Sequence, residues 1–246
     1  MNQSLRFRIG KHELCESDYR SVLILAKELG GEPEATIAHI SMEVSDGRIT
    51  KLLLMDRISP TWLLTLSDLA GLKDLRFAMF EYAGDCIKLK NLSTLEELHL
   101  GVYLDLLPKV HLSRLPNLKT IFLEDIRPLK ELEFTDVPKL TTLICRHTGG
   151  ITKLDLSTCP LLTYLSCEGN EITHLDLSKV PRLERLICGG NKLTHLNLAE
   201  TPILKSLDCR RNQLDVLDVT MLANLESLSY DSDRTRLLQR PDQKFS

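Results

Sequence analysis

The chain has 246 residues, of which 43% are hydrophobic and 26% charged, and its net charge at pH 7 is −3. This charge balance argues against nonspecific binding to nucleic acid, which requires clustered lysine and arginine. No apolar run is as long as a membrane span, and the N-terminal segment carries charges where a signal peptide has an apolar core. We therefore predict a cytoplasmic protein.

Residues 1–48 are predicted to form a cap. Ser17 is placed to begin a helix that continues to about Leu29, with apolar residues on one face. Apolar and polar residues then alternate over residues 40–45, as in a half-buried strand. Asp46 and Gly47 form a two-residue hairpin turn before the next strand. We expect this hairpin to lay a strand against the first coil and cover its open edge.

From Ile49 onward the pattern L-x-x-L-x-[LC] recurs along the chain. The step between neighbouring starts shortens from about 23 residues in the first repeats to about 21 residues in the last ones. A fixed period in this range is the signature of a solenoid, which needs at least three repeats for stability. Nine starts are present: Ile49, Leu72, Leu95, Leu118, Leu140, Leu162, Leu183, Leu204 and Leu225.

The later repeats share two further columns. Their sixth position is Cys145, Cys167, Cys188 and Cys209, which we interpret as a ladder of small apolar fillers pointing into the core. Asparagine follows at 170, 191 and 212, where a side-chain amide can satisfy backbone groups of a turn. Earlier repeats lack this asparagine and have instead Arg57, Phe80, Tyr103, Ile126 and Thr148.

From Ile49 to Leu238 the chain resembles the leucine-rich repeat family. The short cysteine-bearing repeats, with L-D-L-S at 154–157 and 175–178, are similar to the repeats of bacterial, internalin-like proteins. The resemblance implies an α/β solenoid, a right-handed superhelix with a parallel concave β-sheet and a mostly irregular convex side. We predict three parts: an N-terminal helix and hairpin cap over 1–48, a repeat domain of about nine repeats over 49–238, and a C-terminal tail over 239–246 that is loose from Pro241 onward.

No catalytic or metal-binding motif accompanies the repeats. The ladder cysteines are about 21 residues apart, whereas metal ligands usually pair within a few residues. His174 and His195 share one repeat position, but Lys153 and Val216 occupy it in the flanking repeats, so no third ligand lines up. Nucleophile elbows, phosphate-binding loops and HExxH motifs are missing from the sequence. We therefore predict no cofactor and no bound metal.

The third and fifth residues of each repeat should face out on the concave sheet, since side chains alternate along a strand. In the middle repeats these positions hold an apolar and aromatic cluster with charged neighbours, the composition of an interaction hot spot. The predicted partner-binding residues are Arg76, His99, Phe122, Ile144, Tyr164, Arg185, Ile187 and Asp208.

These observations favour a monomeric, non-enzymatic module that binds a protein or peptide on its concave face. Two alternatives stay open. One is a secreted or surface-associated bacterial effector or adhesin without a classical signal peptide. The other is an enzyme, or an enzyme-regulating subunit, with a site on the cap or the concave sheet, for which Glu97, His99 and Glu124 are the candidate residues.

Overall fold

The repeats build one long parallel sheet. The computed structural model of the chain describes residues 7–9, 12–28, 40–54, 66, 68–77, 86–101 and 108–246. Before the repeats come the antiparallel pair β1 (Phe7–Ile9) and β2 (His12–Leu14), the helix α1 (Glu16–Glu28) and strand β3 (Ile40–Ser45). The nine repeat strands of the sheet are β4 (Arg48–Leu54), β5 (Asp74–Phe77), β7 (Glu97–Gly101), β9 (Thr120–Glu124), β11 (Thr142–Arg146), β12 (Tyr164–Ser166), β13 (Arg185–Ile187), β14 (Ser206–Asp208) and β16 (Ser227–Ser229).

The register of this sheet follows the sequence repeat. Each repeat strand pairs in parallel with its neighbours, and equivalent repeat positions are Cα partners, as Leu143, Leu165 and Leu186 illustrate. Burial alternates along the strands, with the fourth and sixth positions inward and the third and fifth outward. The structure thus confirms the predicted solenoid with its parallel concave sheet.

The cap closes the first edge of the sheet. Strand β3 pairs antiparallel with β4 through the turn at Asp46 and Gly47, whose φ angles of 51° and 75° suit a two-residue hairpin. Helix α1 begins at Glu16, one residue before Ser17, and its expected end at Leu29 lies outside the described residues. The buried Asp18 carboxylate fixes the helix to the first repeat, because it accepts hydrogen bonds from Ile49 N at 2.6 Å and Arg48 Nη1 at 3.1 Å.

The side of the coils opposite the concave sheet, here called the return side, carries two smaller sheets. Strands β6 (Cys86–Lys90), β8 (Lys109–Ser113) and β10 (Glu131–Thr135) pair in parallel. Strands β15 (Val216–Asp218) and β17 (Arg236–Leu238) form a second parallel pair near the C-terminus. Between positions 151 and 213 the return side is irregular, as the resemblance implies. Leucines and cysteines from both sides fill one continuous core.

The asparagine column binds neighbouring coils together. Asn191 Nδ2 donates to Cys167 O at 2.9 Å and Cys188 O at 3.0 Å, and its Oδ1 accepts from Ile172 N at 3.0 Å. Asn212 repeats this pattern one coil later. The predicted asparagine ladder is therefore present. Of the residues that replace asparagine in earlier repeats, Ile126 and Thr148 are fully buried, whereas 57, 80 and 103 lie outside the described residues.

The C-terminal segment corrects one expectation. We expected a loose tail from Pro241, but Gln243 is buried and its Nε2 donates to Val219 O and Leu222 O, both at 2.9 Å. Ser246 N donates to Glu226 O at 2.9 Å, next to the last strand of the sheet. Glu226 O has no following coil to donate to it, and Ser246 supplies that donor. Val219 O and Leu222 O accept from Gln243 in addition to backbone N–H groups. The exact division at 48/49 and 238/239 stays a prediction.

Candidate binding face

All eight predicted binding residues lie on outward positions of the concave sheet. These residues fall in two columns that run across the repeat strands at right angles. Within each column, residues on neighbouring strands are Cα partners in the observed register. Tyr164 and Arg185 belong to the third-position column. The fifth-position column contains Arg76, His99, Phe122, Ile144, Ile187 and Asp208. Neighbouring parallel strands are about 4.8 Å apart, so the columns form one continuous surface.

The middle of this face is apolar, but it is less exposed than the sequence suggests. Phe122, Tyr164 and Ile187 are half-buried and form what we call the central patch. Ile144 is only 9% exposed, and Ser166 beside it is 1% exposed. Ile144 therefore supports the patch from below and offers little contact surface itself.

Aromatic rings on the face are held by their neighbours. The rings of His99 and Phe122 stack with centroids 5.4 Å apart and planes inclined by 22°. On the other side of the patch, the guanidinium carbon of Arg185 lies 5.9 Å from the centroid of the Tyr164 ring, within the range of a cation–π contact. These contacts fix the rings before any partner arrives, which reduces the entropy lost on binding.

The first coils carry a network of ion pairs. Arg76 Nε lies 2.8 Å from Asp74 Oδ1, and Arg76 Nη2 lies 3.3 Å from Glu97 Oε2. The hydrogen bond to Asp74 raises the pKa of Arg76, although partial burial opposes it. His99 Nε2 is 3.3 Å from the same Glu97 oxygen. Lys51 adds a contact of 3.6 Å to Asp74, so opposite charges largely neutralise one another here.

The last coils are also charged on this face. Asp208 Oδ1 accepts a hydrogen bond from Arg210 Nε at 3.0 Å. Partial burial raises the pKa of Asp208, but the hydrogen bonds from the Arg210 side chain and backbone outweigh it, so the net pKa is lowered. This carboxylate therefore stays ionised and paired at neutral pH.

Sequence reasoning missed a small polar cavity of about 200 Å³ at the edge of the face, where the strands end. Gly169 and Gly190 line it with positive φ angles of 67° and 62°. A Cβ on Gly169 would come within 2.6 Å of His147 Nδ1, so a larger residue there would require His147 to move. His147 Nε2 lies 3.4 Å from Glu168 Oε1 across the cavity. The G-N pairs after the ladder cysteines are the sequence signal for this edge.

Two groups of side chains could hold a metal ion among the described residues. The first, on the concave face, is Asp74, Glu97 and His99, whose ligand atoms lie within 4.8 Å of one another. The second, on the return side, is His111, Glu131 and Glu133. In both groups a cation of the protein already binds the carboxylates: Arg76 in the first and, at 3.1 Å from Glu131, Lys109 in the second. Hydrogen bonds from Lys109 and then His111 lower the pKa of Glu131.

The residues considered for catalysis are not brought together. Glu97 contacts His99, but Glu124 pairs with Arg146, whose Nε lies 2.8 Å from Glu124 Oε1. None of the seven cysteines forms a disulfide bond. Burial raises the pKa of Cys167 to about 12 and that of Cys188 well above its ordinary value, so neither is a ready thiolate. His174 and His195 are both exposed and belong to neither metal-binding group.

Comparisons with known proteins bear on the fold. No family model and no curated protein sequence matches the chain. Among solved structures, internalin C2 from Listeria monocytogenes strain 4b F2365 is similar over 92% of this chain and 93% of its own, with a TM-score of 0.50 and 19% identity. Listeria monocytogenes InlP is similar over 77% of this chain and 60% of its own, with a TM-score of 0.55 and 21% identity.

A third similar structure is the plant peptide hormone receptor RGFR1 in complex with RGF2, with a TM-score of 0.50 and 14% identity. It matches 75% of this chain, which spans only 31% of the receptor chain. At these identities the likeness concerns the fold alone. In the part of the chain that the structure describes, no helix is long and apolar enough to cross a membrane.

Proposed function

We propose that this chain, a leucine-rich-repeat protein with short internalin-like repeats, is a non-enzymatic module that binds a protein or peptide partner on its concave face. The observation that carries the proposal is the central patch. Phe122, Tyr164 and Ile187 stand half-exposed in the middle of a continuous sheet, with charged side chains on both sides. Partly exposed aromatic residues surrounded by polar groups are typical of interaction hot spots.

The architecture favours binding by a surface that is already ordered before the partner arrives. Backbone hydrogen bonds fix the spacing of the strands, and the His99–Phe122 stack fixes a ring at the edge of the patch. On binding, the partner loses conformational freedom, whereas this surface loses little because it is already ordered. The ion pairs around the patch are exposed to solvent and contribute modestly to affinity, so their expected part is orientation of the partner.

The enzyme alternative gains no support from the geometry of its candidate residues. Glu97 and His99 belong to a network already saturated by Arg76, and Glu124 is engaged by Arg146. A general base needs a free position beside the reacting group. Cytoplasmic location, monomeric state and absence of nucleic-acid binding stay predictions. The effector or adhesin hypothesis keeps the same binding face but proposes that the protein is secreted or held at the cell surface.

The experiment compares capture of proteins from lysates by the wild type and two double variants. Phe122→Glu/Ile187→Glu places two carboxylates in the central patch. Ile203→Glu/Met221→Glu makes the same chemical change at two exposed apolar residues away from the concave columns, where Met221 is 72% exposed. Circular dichroism first verifies that both variants are folded.

We expect the wild type and the Ile203→Glu/Met221→Glu variant to capture the same protein, and the Phe122→Glu/Ile187→Glu variant to lose it. A partner retained by both variants would move the binding site away from the concave face. A partner lost only by the Ile203→Glu/Met221→Glu variant would place the binding site around Ile203 and Met221, outside the concave columns.

A further inference from the structure

One cation of the concave face is not neutralised by its neighbours. Arg76, Arg146 and Arg210 each lie within 3.0 Å of a carboxylate oxygen on the same face. Arg185 makes no ion pair with any described residue, and its side chain instead contacts the Tyr164 ring. A guanidinium left without a counter-ion next to an apolar patch is a place for a negative charge from elsewhere.

The surroundings of Arg185 determine what kind of anion fits. The residue is exposed on β13, and the Tyr164 ring shields one face of its planar guanidinium. The fork of N–H donors at the edge of that plane stays open, and this fork matches the two oxygens of a carboxylate. Ile187, two residues further along the same strand, is half-buried and apolar. Side chains two apart on a strand are about 7 Å apart on the same face.

We infer that the partner presents a carboxylate beside an apolar side chain, the carboxylate binding Arg185 and the apolar side chain covering Ile187. An extended peptide with the order acidic–any–apolar has the same side-chain spacing, because its own alternate side chains face one way. This inference rests on the proposed concave-face function and narrows its partner to an acidic, partly apolar segment. Contact with the apolar neighbours removes water from the charge pair, which strengthens it.

A displayed library of random peptides tests the inference, because it samples acidic, basic and apolar segments alike. The library is selected on the wild type, on Arg185→Glu and on Arg182→Glu. Arg182 is an exposed arginine three positions earlier that lies outside the outward columns, so its substitution gives the same change in net charge. Selected peptides are then synthesised, and their affinities are measured at low and high salt.

We expect peptides selected on the wild type and on Arg182→Glu to share an acidic residue two positions from an apolar one. Arg185→Glu should bind these peptides at least tenfold more weakly, and Arg185→Lys should fall between, since lysine lacks the planar fork. Added salt should weaken wild-type binding more than binding by Arg185→Glu.

Three other outcomes would overturn the inference. If the selected peptides show no acidic enrichment and still fail to bind Phe122→Glu/Ile187→Glu, the inferred role of Arg185 is wrong, whereas the concave-face function stands. Equal weakening by Arg182→Glu and Arg185→Glu would show a general charge effect. If no peptide is enriched on the wild type, both the inference and peptide binding by this face are wrong.

Discussion

Replacing Asn191 by alanine should destabilise the protein far more than a surface substitution of the same type. The side chain is 7% exposed and makes hydrogen bonds of 2.9 Å and 3.0 Å to two backbone carbonyls. Its Oδ1 is the acceptor for Ile172 N at 3.0 Å, and Ile172 is fully buried. The variant therefore removes these two donated bonds and a longer one of 3.3 Å to Gly189 O, and it leaves one buried N–H without a partner.

The magnitude follows from these contacts. A buried donor without a partner costs about 1 to 3 kcal/mol, and each lost hydrogen bond contributes about 1 kcal/mol. The two carbonyls keep a partner, because Asn170 also donates to Cys167 O and Asn212 to Cys188 O. The loss in the free energy of unfolding should therefore be about 3 kcal/mol, a large share of a typical total of about 5 to 15 kcal/mol.

Chemical denaturation followed by circular dichroism measures this loss, and Asn197→Ala is the matched control. Asn197 is an exposed asparagine in the same coil whose Oδ1 accepts only from Ala199 N, at 3.0 Å, so its loss should cost less than about 1 kcal/mol. Hydrogen exchange adds a local test. The Ile172 amide should exchange faster in Asn191→Ala, whereas the Leu193 amide, held by Asn212, should not. Equal effects of the two alanine variants would refute the reasoning.

Four further results are expected. Cys188→Ala should lower the free energy of unfolding by about 1 kcal/mol and keep partner binding. In the folded wild type, a thiol reagent at pH 8 should modify the half-buried Cys15 before Cys188, because burial raises the pKa of Cys188. Labelling of Cys188 first would contradict this. Gln243→Ala should lower the free energy of unfolding by about 1 to 3 kcal/mol, since two buried hydrogen bonds are lost, while Lys244→Ala on the exposed side should leave it unchanged in the same denaturation assay. A backbone hydrogen bond lowers the folded-state pKa of Asp176, so its contribution is present above about pH 4 and lost as pH falls through the folded pKa. The stability difference between wild type and Asp176→Asn should therefore fall in that acid range. EDTA should leave the thermal midpoint unchanged, and a rise of several degrees on adding zinc would instead assign a metal to one of the two His–carboxylate groups.

The sequence period predicted most of the concave sheet, because each leucine start fixes the register of its strand. Columns read from sequence alone, such as Phe122 beside Ile144, are Cα partners in the structure. Exposure within a column was not predictable in this way. Ile144 has an outward position but is buried, since its exposure depends on the size of side chains on neighbouring strands.

Features outside the repeat pattern were harder to predict. Strands β6, β8 and β10 do have a signal, an alternation of buried and polar residues such as Ile87 and Leu89, but it falls between the leucine starts. The contact of Asp18 with Ile49 joins residues 31 positions apart and has no local pattern. Gln243 lies in a polar segment, and its buried place depends on hydrogen bonds to Val219 O and Leu222 O, which no local pattern indicates.

The stacking of coils also determines how the chain can fold. Backbone bonds between coils join residues about one repeat apart, as Lys119 N to Glu96 O and Lys205 N to Glu184 O illustrate. The mean separation of contacting residues is therefore close to one repeat, so the relative contact order is roughly 0.1, in the range of fast-folding helical proteins rather than of β-sandwiches. Although its regular elements are mostly strands, the repeat array should thus fold by local closure, with each coil forming against the one before it.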